Sequence, residues 1–584
     1  MHPELLEVLR AGLDETDSRR LREIREPVTV GVPPEDAFSS LSVRRDGEIR
    51  CYGRRDVRLF DEPGTPVYLS SRDCGLSWKW REPEPDDPGS CFVNPYTGDY
   101  IRIGRPNGAD SPSDSNDSLM YAEIETPEGQ RTRREIPESE RYVLARLPQA
   151  LVARHRLLCT CQMEDGGVYH PVVLRSDDDG VTWRAAHLSS APRHTVQWPH
   201  QGLRWQNGAC EPTVAERPDG SLLLLARTSQ DVHYQSESFD GGETWSALVP
   251  SNIHATLTMP TLFRLSDGRI LLFWCNTQPL PELDHRAQWP PLNEGEISGE
   301  RGEDVFTNRD ANHAAISEDG GRTWIGFREL ALNPLRNASD FRTRGGNEES
   351  LDKSIHQFQA VELPYGKVLL CYGQHPACRR LLIFDPAWLY ETGRREDFRH
   401  GLDSVSTQVY LRSVSGNYRG VSGHCAWNRT NGAVLVPDPA GNFEEALLIA
   451  HIPDSRLQSG VQGMVWNFPA SVRGEVTVRL QIEGEGLRLS LCDRWFNPID
   501  ETVKALAAFS TRLTREDAPG GGWTAVSLRW DTEAGEAVLS AGGRPLRILS
   551  RQQEAPNGLC YLHLQSMETA DLRGSLIKWM EKRE

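Results

Sequence analysis

Glu211 and Arg227 are the side chains of this sequence whose types and spacing best fit chemistry. They stand at the outer ends of two strand-like runs in GACEPTVAERPDGSLLLLAR, joined by a short turn at Asp219-Gly220. Antiparallel pairing across such a turn returns the second end to the level of the first. A carboxylate beside a guanidinium acts as base, nucleophile or electrostatic partner for a bound group. Pro212 follows Glu211 and biases it toward the extended backbone of an inner strand.

The same reasoning applies to other strand-turn-strand units along the chain. After each turn the second strand finishes on a polar residue: Arg54, Arg105, Gln162, Arg227, Asn276 and Gln374. A ring of such ends around one mouth would converge on a ligand, and three arginines make that ligand an anion. His233 and Tyr234 follow closely on Asp231 and are expected at the rim.

The elements that must position these residues form a repeat. Short turns fall at Asp46-Gly47, Thr97-Gly98, residues 152–155, Asp219-Gly220, Asp267-Gly268 and Tyr365-Gly366. Four are followed by a second turn of one pattern, Ser71 to Trp78, Ser176 to Trp183, Ser238 to Trp245 and Ser317 to Trp324. In this Asp box the aspartate accepts backbone N–H bonds and the glycine supplies a positive φ. The tryptophan offers a large ring for packing between neighbouring sheets. These are structural residues. The second unit has a degenerate box near Thr126–Gly129, and the sixth ends without one at RRLLIFDPAWLY. Six units of several short strands predict a six-bladed β-propeller over residues 29–400. Long polar stretches at 109–118, 278–304 and 333–352 are expected as rim or lid loops.

Beyond residue 400 the repeat stops, and alternating runs such as EVTVRLQI, TAVSLRW and CYLHLQS predict a β-sandwich over 401–584. Its pattern resembles laminin-G or concanavalin-like jelly rolls. Glycan binding and plain packing against the propeller are both open readings for it. The whole chain is therefore expected to be all-β, apart from residues 1–28. These read as a short amphipathic helix with Leu5, Leu6, Val8 and Leu9 on one side.

The 584 residues carry a formal charge of −18, which argues against a general nucleic-acid binder. No apolar run is long enough to span a membrane, and the N-terminus lacks the apolar core of a signal peptide, so a cytoplasmic location is expected. The 12 cysteines are scattered without a CxxC pair and read as reduced thiols, with Cys159 and Cys161 on one strand face. No metal or cofactor is required, and a homo-oligomer is allowed.

The four Asp boxes together with EPTVAERPDGSLLLLAR resemble the sialidase superfamily of six-bladed propellers. The resemblance spans roughly residues 30–400. It implies three arginines clamping a sugar carboxylate, a tyrosine nucleophile assisted by a glutamate, and an aspartate as general acid and base. Glu211 matches the glutamate and Arg227 the second arginine. Arg309, in TNRDANHAAIS, falls where the third stands. Asp61, in FDEPGTPVYLSS, falls where the aspartate is expected, with Asp56 as the fallback. Two residues of the pattern are missing. AFSSLSV offers no first arginine, and SIHQFQAVELPYG has His356 and Gln357 where the tyrosine should be.

The resemblance implies an exo-acting glycoside hydrolase that removes a terminal acidic sugar, sialic acid by default. Glu211, Asp61 and His356 would be catalytic. Arg227, Arg309, Arg54, Arg105 and Gln357 would bind substrate. A related hydrolase or lyase acting on another glycan, with His356 as base, and a non-catalytic glycan-binding protein are the alternatives.

Overall fold

The computed structural model describes residues 3–34, 40–55, 64–105, 118–195, 198–199, 207–279, 309–334, 336–337, 355–373, 378–414, 427–454, 460–518, 521–569 and 573–583. Side chains of 410–429 are outside this description. Among the described residues no helix is long and apolar enough to cross a membrane.

Six antiparallel sheets follow one another along the first two thirds of the chain. Blade 1 runs Ser40–Val43, Ile49–Arg55, Thr65–Ser71 and Lys79–Arg81. Blade 2 runs Phe92–Val93, Tyr100–Gly104, Tyr121–Glu125 and Arg131–Glu135. Blade 3 has a broken inner strand, Val143–Leu144 and Gln149–Ala150, both paired with Leu157–Asp165, then Val168–Ser176 and Arg184–His187. Blade 4 is Ala209–Glu216, Leu222–Thr228, Val232–Ser238 and Val249–His254. Blade 5 is Thr261–Arg264, Ile270–Trp274, Ala311–Ser317 and Ile325–Leu332. Blade 6 takes Gln359–Leu363, Lys367–Tyr372 and Arg380–Phe384 from its own unit and Val28–Gly31, from the far N-terminus, as its fourth strand.

Each sheet packs on the next. Continuous apolar cores join blades 2 and 3, 3 and 4, 4 and 5, and 5 and 6. A further core joins blade 6 back to blade 1. Between blades 1 and 2, Ser42 Oγ donates to the Cys91 carbonyl at 2.6 Å. This is the arrangement of a six-bladed β-propeller, with the N-terminal strand completing its last blade.

The six short turns all lie between the first and second strands of a blade, and the four Asp boxes follow third strands. In the blade 4 box, Ser238 Oγ donates to Asp240 at 2.8 Å, Gly242 N–H donates to Ser238 Oγ at 2.8 Å, and Asp240 accepts Thr244 N–H at 3.0 Å. Trp78, Trp183, Trp245 and Trp324 each pack into a core between two blades.

The N-terminal segment is two helices, Pro3–Ala11 and Glu15–Glu23, where one was expected. Asp14 caps the second by accepting Asp17 N–H at 2.8 Å, a stop and restart that the apolar pattern did not register. Leu9 and Leu21 are buried in the core of blades 6 and 1, whereas Val8 is exposed.

The C-terminal part is two sheets around one core, an eight-stranded sheet and a five-stranded sheet. The hairpin Thr524–Asp531 and Glu536–Ala541 turns Val526, Leu528 and Trp530 inward. The larger sheet begins before residue 401, because Arg394–Glu396 pairs with the last strand, Gly574–Arg583.

Propeller and sandwich share a core as well, since Val465, Trp495, Phe496 and Tyr561 pack with Trp274 and Phe327 of blade 5. Trp495 extends the second strand of blade 5, donating N–H to Asn276 O at 2.9 Å and accepting from Gln278 N–H at 2.8 Å. Beside it a polar chain crosses the seam. Asn276 N–H donates to His313 Nδ1 at 3.0 Å, so the ring proton sits on Nε2, which meets the Tyr561 hydroxyl at 2.5 Å. That hydroxyl donates to Glu329 Oε1 at 2.7 Å. Among the described residues eleven cysteines, Cys159 and Cys161 included, are buried.

Candidate active site

Blade 4 supplies the central pair. Its first two strands pair Cys210 with Arg227, then shift and resume at Thr213 with Leu225, so Glu211 and Pro212 together oppose Ala226. This is a β-bulge, and proline, which has no N–H for the ladder, is a residue that bulges accept. Glu211 takes φ 46, in the left-handed region, rather than the extended backbone expected from Pro212. The bulge overrides that preference and re-aims the carboxylate. Arg227 Nη1 then donates to Glu211 Oε2 at 2.8 Å. Arg227 is buried, which alone would lower its pKa, yet Glu211 and Cys210 more than offset that and raise it.

Arg309 enters from blade 5 and His356 with Gln357 from the approach to blade 6. Arg309 Nη1 lies 3.2 Å from His356 Nε2, and its Nη2 donates to the Leu257 carbonyl. A guanidinium only donates, so Nε2 is the acceptor and the His356 ring proton is on Nδ1. The Gln357 amide lies 3.4 Å from the same Nε2, and Gln357 has φ 68. Burial pushes the Cys210 thiol up to about 12, and the charges of Arg227, Glu211 and Arg309 also act on it.

Blade 3 closes the group from the other side. Gln162 Oε1 accepts Glu211 N–H at 2.5 Å, and Thr160 Oγ1 donates to Pro212 O at 2.8 Å. Arg146 reaches across the centre and donates to Phe358 O and Pro260 O, both at 2.7 Å, tying blade 3 to blades 5 and 6. Burial lowers its pKa to about 10 despite the nearby Glu211. Tyr169 lies within charge range of Arg227, and burial lifts its hydroxyl to about 12, so it is a neutral donor at ordinary pH.

Other expected residues are placed elsewhere. Arg105 is occupied within blade 2, where its guanidinium donates to the carbonyls of Ser118, Ser139, Glu140 and Tyr142. Arg54 reaches Gly64 O at 3.5 Å within blade 1. Asn276 turns to the sandwich, donating to Asp493 O at 2.9 Å. His233 is fully buried beside Arg227 rather than on the rim, and burial pulls it down to about 3. Asp61, its fallback Asp56 and Gln374 lie outside the described residues.

Arg146 is the member that the sequence did not offer. It sits in a broken strand whose turn carries no glycine, so no turn anchor pointed to it. Among the described residues no group of three or more His, Cys, Asp or Glu is placed to hold a metal.

Residues 130–334 match the family model of the BNR repeat-like domain. The similarity to that family is confined to this segment. The matched segment contains Glu211, Arg227 and Arg309 and three of the four Asp boxes, and it supports the BNR-type repeat recognised from those boxes. The match ends before the sandwich. No curated protein matches the chain.

Among solved structures, the chain is similar to a protein of unknown function from Dyadobacter fermentans at 18% identity, covering 62% of this chain and 98% of that one, with a TM-score of 0.38. It is also similar to the Trypanosoma rangeli sialidase in complex with 2,3-difluorosialic acid, at 11% identity, 96% and 95% coverage and a TM-score of 0.36. A third is the intramolecular trans-sialidase from Ruminococcus gnavus, at 14% identity, 63% and 95% coverage and a TM-score of 0.35.

Proposed function

We propose that this BNR-repeat protein is a sialidase-like exo-glycoside hydrolase that removes a terminal acidic sugar from glycans. The observation that carries the reading is the Glu211–Arg227 ion pair at 2.8 Å, with the charge of Arg309 also felt at the neighbouring Cys210. Two guanidiniums next to one carboxylate suit a sugar that bears its own carboxylate, because arginine forks match that geometry. Glu211, displaced from Arg227 by the substrate carboxylate, is then available to activate a nucleophile or a water molecule. Asp61 is the proposed proton donor to the leaving oxygen.

His356 stands where the tyrosine nucleophile belongs, and its Nε2 lone pair already accepts from Arg309. That arrangement favours water as the nucleophile and gives His356 the task of orienting Arg309. It also disfavours the lyase reading, which needs that lone pair as a base. The absent tyrosine favours one second reading, a glycan-binding protein without turnover. A panel of aryl glycosides and natural sialosides, assayed with wild type and Glu211→Gln, decides between them. The hydrolase reading expects turnover of an acidic glycoside that Glu211→Gln loses. No turnover of any glycoside, with binding kept in both proteins, supports the second reading.

A further inference from the structure

We infer that Gln162 is a positioning residue for Glu211 and a hydrogen-bond donor to the sugar held there, which rests on Glu211 being the carboxylate of the site. The bulge at 211–212 takes Glu211 N–H and Pro212 C=O out of the ladder with Leu222–Thr228. Backbone groups of a bulged strand need other partners when they are inside a protein. Blade 3 supplies both, from one strand face two residues apart. Gln162 Oε1 takes Glu211 N–H at 2.5 Å, and Thr160 Oγ1 gives its proton to Pro212 O at 2.8 Å.

A left-handed backbone at a residue other than glycine persists only where its surroundings over-determine it. Glu211 has φ 46, and these two bonds are the side-chain restraints that flank it. The same bonds fix the orientation of the Gln162 amide. With Oε1 committed to Glu211, the Nε2 end is set on the opposite side of the carboxamide. Among the described residues Nε2 has no hydrogen-bond partner, and it is not one of the sealed-off orphan polar atoms of the interior. Gln162 therefore presents two donor hydrogens beside the Glu211–Arg227 pair. Their complement is a neutral acceptor on the sugar, a hydroxyl or amide oxygen next to the group that Glu211 serves.

Three variants of the full chain separate the two roles. Gln162→Glu keeps the acceptor and exchanges the donor for an acceptor. Gln162→Met removes both, and Thr160→Val removes only the neighbouring restraint. Hydrogen exchange of the peptide spanning 209–216, which needs no substrate, reads the positioning role. The expected result is exchange about tenfold faster in Gln162→Met, at or near the wild-type rate in Gln162→Glu, and intermediate in Thr160→Val. Titration with N-acetylneuraminic acid reads the donor role, with Kd about tenfold weaker in Gln162→Glu. Unchanged exchange in Gln162→Met overturns the positioning role, and unchanged affinity in Gln162→Glu, or no binding by wild type, overturns the donor role. Failure of turnover alone, with these two results in hand, counts against the hydrolase reading and not against Gln162.

Discussion

At the scale of single residues, the site depends on a carboxylate held where a strand would not ordinarily put it. The left-handed φ of Glu211 carries a cost of about 1–3 kcal/mol, offset by the restraints around it. Glu211→Gln keeps the shape and a hydrogen bond to Arg227 while removing the charge. Loss of general base or electrostatic assistance predicts a fall in kcat of about 10²- to 10⁴-fold, with the melting temperature close to that of wild type. Steady-state kinetics beside a thermal melt check both halves. Glu211, Arg227 and Arg309 were legible in the sequence because each lies a fixed strand length from a turn or box. Arg146 was not, because it acts across the propeller centre from a strand with no such anchor. The backbone of Glu211 was misjudged because proline speaks for local preference and the bulge for tertiary pairing.

At the scale of elements, the Asp boxes hold the blades and leave the chemistry alone. Burial works to raise the Asp240 pKa, but bonds from Thr244, Ser238 and Glu243 outweigh it and hold the carboxyl well below its ordinary range. A lowered pKa means stability that is present above the ordinary value, about 4, and lost as pH falls through the lowered one. Asp240→Ala should cost about 1–2 kcal/mol in denaturant unfolding while leaving KM unchanged. The turns and boxes were readable because their chemistry is local, a serine, an aspartate and a glycine at fixed offsets. The closing strand Val28–Gly31 was hidden for the opposite reason. This four-residue strand pairs with Arg380–Phe384, more than three hundred positions away, and nothing local announces that pairing.

At the scale of the whole molecule, propeller and sandwich form a joint structure through the Trp495 extension and the His313–Tyr561–Glu329 chain. Burial raises the Glu329 carboxyl to about 7, opposed by Arg394, by the Tyr561 hydrogen bond and by Arg336. Burial holds the His313 ring down at about 3, so it stays neutral across the range. For a raised carboxyl the folded state holds its proton longer than the unfolded chain does. Stability is then full below the ordinary value, about 4.3, and is lost as pH climbs through the raised one. Thermal melts across pH 4 to 8 should show that decline in wild type and a flatter profile in Glu329→Gln. A decline of equal size in the variant would remove Glu329 from the account. The sequence showed two β-domains but not this seam, whose members lie far apart along the chain and include a histidine and a glutamate in otherwise apolar strands.

The central claim is that Arg227 and Arg309 select a sugar by its carboxylate while Glu211 serves its cleavage. The most direct test compares turnover of an aryl sialoside by the wild-type protein with that of the methyl ester of the same compound. Removing one charge from a paired arginine site predicts kcat/KM lower by about two orders of magnitude for the ester. Equal turnover of acid and ester would contradict the claim.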